Sequence, residues 1–98
     1  MAYEIVKKKR FYNQLFKLLS YLETNWGLQV ASEFLNKIDS RFKTLEEQPF
    51  IGRPSTQSQT RSILITSHNR LIYKISGNKI IVLAMYDTRM NLKKNRYL

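Results

Sequence analysis

The spacing of apolar residues changes midway along this chain, and that change restricts the fold more than any other feature. From about Lys9 to residue 47 they recur every three or four positions. Phe11, Leu15, Leu18, Leu19 and Leu22 form one stripe, widened by Tyr12 and Phe16. Ala31, Phe34, Leu35, Ile38, Phe42 and Leu45 form a second. This period matches the helical turn and predicts two amphipathic helices, about 9–25 and 28–47. Asn25-Trp26-Gly27 separates them, and Gly27 suits the left-handed position just past a helix end. So short a link predicts an antiparallel hairpin. The aromatic residues Phe11, Phe16, Phe34 and Phe42 are assigned to the core by their spacing.

Residues 49–60 hold two prolines, Gly52 and six Ser, Thr or Gln, and read as a loop too polar for the core. Beyond it the period falls to two. Ile63 and Ile65 alternate with Ser62, Leu64 and Thr66 in a strand begun by Arg61. Ser67-His68-Asn69 turns the chain, and Arg70 to Ile75 or Ser76 forms the next strand. Ser76-Gly77-Asn78 is a hairpin signal, with Gly and Asn where positive φ is needed. Lys79 to Tyr86 is almost continuously apolar, which places it at the sheet centre, covered on both faces. Tyr3 to Lys7 alternates weakly and predicts a short N-terminal strand. The segment after Asp87 is polar and basic and reads as a tail or frayed strand. The expected fold class is α+β. An N-terminal strand and an antiparallel helix hairpin pack on a mainly antiparallel sheet that ends in a three-strand meander. Residues 1–98 form a single domain, as 98 residues have room for one core.

Charge is distributed unevenly. Residues 1–47 carry eight cations and six anions, whereas 48–98 carry nine cations and one anion, Asp87. The whole chain has a formal charge of +10. A basic second half suits a polyanion-binding face. The chain has no cysteine, which excludes disulfide scaffolds, thiolate metal sites and thiol catalysis. A single histidine excludes a metal-bound histidine triad. The longest apolar run, Ile80 to Tyr86, is far short of the roughly 20 residues that span a bilayer. The expectation is a cytoplasmic protein without membrane contact, metal or small-molecule cofactor.

The element order and several local motifs resemble the RelE/ParE toxins of bacterial type II toxin–antitoxin systems, a family that includes plasmid stabilisation proteins. Trp26-Gly27 resembles that family's helix junction. Pro49-Phe50-Ile51-Gly52-Arg53-Pro54 resembles the segment after its second helix. Arg61 to Ile65 and His68 to Tyr73 resemble its next two strands. Ile80 to Met85 followed by Tyr86-Asp87-Thr88-Arg89-Met90-Asn91 resembles its last long strand and Asp-x-Arg ending. Members of the family divide between mRNA cleavage on the ribosome, poisoning of DNA gyrase, and no known target.

The resemblance implies roles for individual residues. Arg70 falls where the cleaving branch carries a phosphate-contacting arginine, and arginine suits that task because its fork binds phosphate through parallel hydrogen bonds. Arg61 stands where that branch places a lysine. Arg89 falls where both branches carry a cation, which in the cleaving branch would stabilise a pentacoordinate phosphate. Asp87, two residues away, is expected to orient Arg89. His68 is a candidate general base for a ribose 2′-OH, because imidazole changes charge near neutral pH. Tyr86 and Tyr97 are candidates for stacking on a base. Lys7, Lys8 and Lys9, with Arg10, form a cationic run suited to nucleic-acid phosphates, and Arg53 in the loop is similar.

Arg61, Arg70 and Arg89 are expected on one basic face. That set favours a ribosome-dependent mRNA endonuclease, an mRNA interferase acting on ribosome and mRNA. The alternatives are a DNA gyrase poison without chemistry of its own and an inactive homologue that only binds its antitoxin. The expected protein partner is a small acidic antitoxin, steered by the +10 charge and ordered on binding as a helix or an added strand.

Overall fold

The computed structural model describes residues 3–56 and 58–87. Its elements run in the order strand β1 (Glu4–Lys7), helix α1 (Lys9–Trp26), helix α2 (Leu28–Glu47), a 3₁₀ turn (Pro49–Ile51), β2 (Arg53–Pro54), β3 (Arg61–Thr66), β4 (Asn69–Ser76) and β5 (Lys79–Asp87). The sheet order is β1-β5-β4-β3-β2. β1 pairs parallel to β5, and the other three pairings are antiparallel. This is the expected α+β arrangement, with the strand before the hairpin inserted beside the last strand of the meander.

Both helices lie on one side of the sheet. Phe11 and Leu15 of α1 and Phe34, Ile38, Phe42 and Leu45 of α2 pack against Ile65, Leu71, Tyr73, Ile80, Val82 and Met85. Burying each of these large apolar side chains contributes about 1.5–3 kcal/mol before entropy is counted. The Gln14 side-chain oxygen accepts a hydrogen bond from the Met85 amide at 2.8 Å and ties α1 to β5. Gly27 alone links the helices. Its φ of 97° has the expected positive sign, but its ψ of 165° lies outside the left-handed helical region, in territory essentially restricted to glycine.

Several expectations need correction. Phe16 is 60% exposed, because it sits one residue, about 100°, round the helix from Leu15 and outside the buried stripe. The 49–60 segment is not simply a polar loop. It contains the 3₁₀ turn and β2, and Pro49, Gly52 and Thr60 are buried. A two-residue strand has no periodicity to read. In the 76–79 hairpin only Gly77 takes positive φ, at 60°; Asn78 does not. The centre of the sheet is β4, and β5 is covered by helices on one face only.

The register explains how β5 behaves. Tyr73 pairs with Val82 and Ile72 with Ala84, so Leu83 is an extra residue, a β-bulge. Ile80 and Val82 face the helices before the bulge and Met85 after it. The shift in parity turns Ala84 and Tyr86 to the opposite side.

Candidate nucleic-acid interface

Directly paired residues in a sheet share a face, and neighbours along a strand alternate. Arg61 pairs with Tyr73 and Ile63 with Leu71, both on the helix side. Ser62 pairs with Ile72 and Leu64 with Arg70, on the outer side. Arg53 pairs with Ser62, and Arg70 with Tyr86. The outer face of β2 to β5 therefore presents Arg53, Ser62, Arg70, Lys74 and Tyr86. Ile72 and Ala84 form its apolar floor, at 2% and 1% exposure. No acidic residue occurs in β2, β3 or β4.

Arg70 is held in place. Its Nε donates to Ser62 Oγ at 3.1 Å, and one terminal nitrogen donates to the Ser62 carbonyl at 3.4 Å. The guanidinium thus leans toward β2, where Arg53 is exposed, while Tyr86 flanks it across β5. The result is two arginine forks about a small hydroxyl, with an aromatic ring alongside. Such a set binds phosphate and offers a surface for a base.

Arg61 occupies a different environment. Its terminal nitrogen donates to the carbonyls of Phe50 and Gly52 at 3.1 and 2.9 Å, and its guanidinium lies 5.1 Å from the Phe50 ring centre. Its partner Tyr73 is fully buried. The Tyr73 hydroxyl donates to the Pro49 carbonyl at 2.8 Å and accepts from the Gly52 amide at 2.9 Å. Burial pushes the Tyr73 pKa up, partly offset by the Gly52 hydrogen bond and the Arg61 charge. Arg61 and Tyr73 together clamp the 49–52 turn. The expectation that Arg61 and Arg70 share one basic face is thus corrected: one strand position separates their parities, and the sheet lies between them.

The remaining candidates scatter. Lys7 faces the helices, with Nζ 5.0 Å from the Phe42 ring centre. Lys8 and Lys9 are exposed where β1 meets α1, on the far side of β5 and β4 from Arg53. His68 is exposed in the β3–β4 turn, where its backbone amide donates to Thr66 Oγ1 at 3.1 Å. Asp87 pairs with Asn69, which gives it the parity opposite to Tyr86. Arg89 and Tyr97 lie outside the described residues.

The sequence reading missed Ser62 and Lys74. Both were legible as alternation partners, Ser62 through its place between Arg61 and Ile63, Lys74 through the 70, 72, 74 parity. Among the described residues no group of acidic or histidine side chains is arranged to hold a metal ion, and no helix is long and apolar enough to cross a membrane.

Comparison with known proteins extends the motif resemblance. A family model described as the ParE toxin of the type II toxin–antitoxin system parDE matches residues 5–92. Toxin ParE3 of Caulobacter vibrioides is 37% identical over 71 residues, which cover 69% of each chain. A chromosomal ParDE system from Pseudomonas aeruginosa superposes with a TM-score of 0.75 at 16% identity, over 88% of this chain and 96% of that one. The RelBE2 toxin–antitoxin complex of Mycobacterium tuberculosis gives a TM-score of 0.61 at 21% identity, over 89% and 99%. The structural likenesses establish the fold; the family match over nearly the whole length, with the curated relative, establishes descent. The chain belongs to the ParE toxin family, within the RelE/ParE toxins of type II toxin–antitoxin systems.

Proposed function

We propose that this toxin acts by binding, as a poison of DNA gyrase on DNA, and that an acidic antitoxin neutralises it. The observation that carries the reading is the separation of Arg61, His68 and Arg70. Acid–base cleavage of RNA needs donors and acceptors within about 3 Å of the atoms they serve. Here Arg61 is committed to the 49–52 turn on the helix side, and His68 sits in an exposed turn. What the outer face offers is fixed positive charge from Arg53, Arg70 and Lys74. That charge suits phosphate contact, and phosphate contact alone is enough for a binder. The ParE family match supports the same branch.

Ribosome-dependent mRNA cleavage is the second reading, favoured by one observation: Tyr86 pairs directly with Arg70 and brings a phenol beside a phosphate-binding fork. The two separate in one experiment. Purified toxin is added to gyrase with supercoiled plasmid, and in parallel to a translating extract. The expected result is gyrase-dependent double-strand breaks, weakened by Arg70→Ala, with intact mRNA. Fragmented mRNA without gyrase-dependent breaks would reverse the assignment. The antitoxin is tested by co-purification with the product of the adjacent gene and by rescue of growth.

A further inference from the structure

β1 forms one edge of the sheet, and its backbone shows which groups that edge leaves open. The Glu4 amide donates to the Asn78 carbonyl at 2.9 Å, and the Lys8 amide to the Val82 carbonyl at 3.0 Å. Alternate residues of a strand turn both backbone groups to the same neighbour, so Glu4, Val6 and Lys8 face β5. Ile5 and Lys7 turn theirs outward, where among the described residues no strand pairs with β1. The next outward amide, that of Tyr3, is already engaged by the Glu46 carbonyl at 3.1 Å. Side chains alternate in face along the strand. Ile5 packs against the core and Lys7 lies over the Phe42 ring, both on the helix side, which puts Glu4 and Val6 on the outer face. Lys8, with φ −79° and ψ 157°, is still extended and shares the outer face with them.

Charge and open backbone groups select the occupant. An unpaired edge is a template for another strand, and a second copy of β1 can meet the first antiparallel about a two-fold axis. Hydrogen-bonded pairs must then join outward-facing residues. An axis centred on Ile5 would set Tyr3 against Lys7, but the Tyr3 amide is taken by Glu46. An axis centred on Lys7 would set that lysine against its own copy, and like charges directly opposite are unfavourable. An axis centred on Val6 meets neither objection. Ile5 exchanges hydrogen bonds with the partner's Lys7, Val6 meets the partner's Val6 on the axis, and Glu4 lies opposite the partner's Lys8 on the outer face. On the helix side, the partner's Lys7 stands beside Ile5 at a cleft of about 440 Å³, where α2 supplies two carboxylates, Asp39 and Glu46, and one cation, Lys43.

We propose that β1 is a self-association edge, along which two copies of this chain join antiparallel about Val6 into one continuous sheet. The axis runs perpendicular to that sheet, so the outer faces of both copies, each with Arg53, Arg70 and Lys74, turn the same way. A long polyanion then meets both sets of cations at once, and the second contact is made intramolecular by the first. The paired segment is short and each chain carries +10, so association is weak and needs concentrated protein. The pairing is independent of whether the toxin acts on gyrase or on mRNA.

The chain has no cysteine, so a single introduced thiol reports the register. Residues directly opposite in a non-hydrogen-bonded antiparallel pair have Cα atoms about 4.5 Å apart, within disulfide reach. The probe is the full chain carrying Val6→Cys, oxidised with diamide near millimolar protein and followed by non-reducing gel electrophoresis. Asn13→Cys, exposed on α1, reports random collision. Covalent dimer should form about tenfold faster from Val6→Cys than from Asn13→Cys. In the Val6→Cys background, Glu4→Lys should slow cross-linking about fivefold, and adding Lys8→Glu should restore it to within about twofold, because the swap rebuilds the opposite-charge pair. Melting followed by circular dichroism verifies that each variant is folded. Sedimentation of the unsubstituted chain near millimolar concentration should show a reversible dimer. Equal rates from Val6→Cys and Asn13→Cys, a Glu4→Lys effect that Lys8→Glu leaves uncorrected, or a strictly monomeric unsubstituted chain would each overturn the proposed edge.

Discussion

The two sides of the β3–β4 pair show how one residue type acquires opposite tasks. Arg61 and Arg70 lie on adjacent antiparallel strands of a basic chain. On the helix side, Arg61 is spent on two backbone carbonyls and an aromatic ring, around the fully buried Tyr73. On the outer side, Arg70 is steadied by Ser62 and remains half-exposed among further cations. Charge and composition are the same; strand parity decides. An arginine beside the helix layer becomes structure, because even when half-buried it gives its donors to the carbonyls and ring of the adjoining turn. An arginine on the outer face, steadied through a hydroxyl and half-exposed, keeps its charge for a ligand. The predictions below separate these two sides by asking which substitutions move stability and which move binding.

The largest effect belongs to Gly52→Ala. A Cβ at Gly52 would approach Tyr73 Cε1 to 2.8 Å and its hydroxyl more closely still. Tyr73 is fully buried and its hydroxyl both donates and accepts, so it has little room to retreat. The substitution should cost about 3 kcal/mol or prevent folding, as overpacking and a broken buried network combine. Urea denaturation reads it directly. A variant as stable as the parent would mean that the clamp is loose and the two sides are less different than argued.

Next in size is Tyr73→Phe, which keeps the ring but leaves the Gly52 amide and Pro49 carbonyl without their partner. Stranding buried polar groups costs about 1–3 kcal/mol. The pH dependence provides a sharper mark. Burial raises the Tyr73 pKa in the folded state above the ordinary value of 10.0. The unfolded chain therefore loses this proton first as pH rises. The stability that Tyr73 contributes is complete below pH 10 and is lost between that value and the folded pKa. Tyr73→Phe should remove that component of the alkaline fall in stability while lowering the plateau at neutral pH. An unchanged alkaline slope would show that the hydroxyl titrates as if exposed.

Which of these features were legible in the sequence follows from what periodicity encodes. The change of period at residue 49 locates both helices and the three long strands, because each is long enough to repeat its pattern. β2 has two residues and no pattern. The bulge at Leu83 inverts the parity of β5 within an unbroken apolar run, so nothing in Ile80 to Tyr86 signals that Tyr86 leaves the core side. Arg61 and Arg70 were both recognised as strand cations, yet their opposite faces depend on register across the turn and not on either strand alone. The clamp was visible only as a string of turn residues; its logic needs Tyr73, which lies 21 positions from Gly52.

A crossed pair of substitutions tests the comparison itself. Arg61→Met should lower stability by about 1–2 kcal/mol, as two charge-assisted hydrogen bonds are lost, and should leave the affinity for a short DNA duplex within about twofold at low salt. Arg70→Met should do the reverse. Stability should shift by less than about 1 kcal/mol, while duplex affinity falls several-fold and the salt dependence drops by roughly the release of one counterion. Titration of binding against salt concentration, alongside urea denaturation, reads both axes. If Arg61→Met reduced the salt dependence as much as Arg70→Met, the helix-side arginine would be contacting the polyanion, and the assignment of faces to tasks would fail.

The smallest expected effect is also the most specific to the outer side. Ser62→Ala removes the hydroxyl that accepts from Arg70 Nε at 3.1 Å and changes no charge. Ser62 is 8% exposed, and alanine keeps the same Cβ and loses only the hydroxyl, so stability should change by less than about 1 kcal/mol. The Arg70 fork loses the contact that aims it, and its freedom must be paid back on binding, at about 0.5–1.5 kcal/mol for an immobilised long side chain. Duplex affinity should therefore fall about two- to fivefold. The salt dependence should stay where it was, because the same number of cations still meets the same phosphates. That combination, a weaker constant with an unaltered salt slope, distinguishes a residue that orients a cation from one that supplies the charge. In the Arg70→Met background, Ser62→Ala should have no further effect on binding. If it did, Ser62 would be touching the nucleic acid itself, and the outer face would hold a direct hydroxyl contact in addition to its arginine forks.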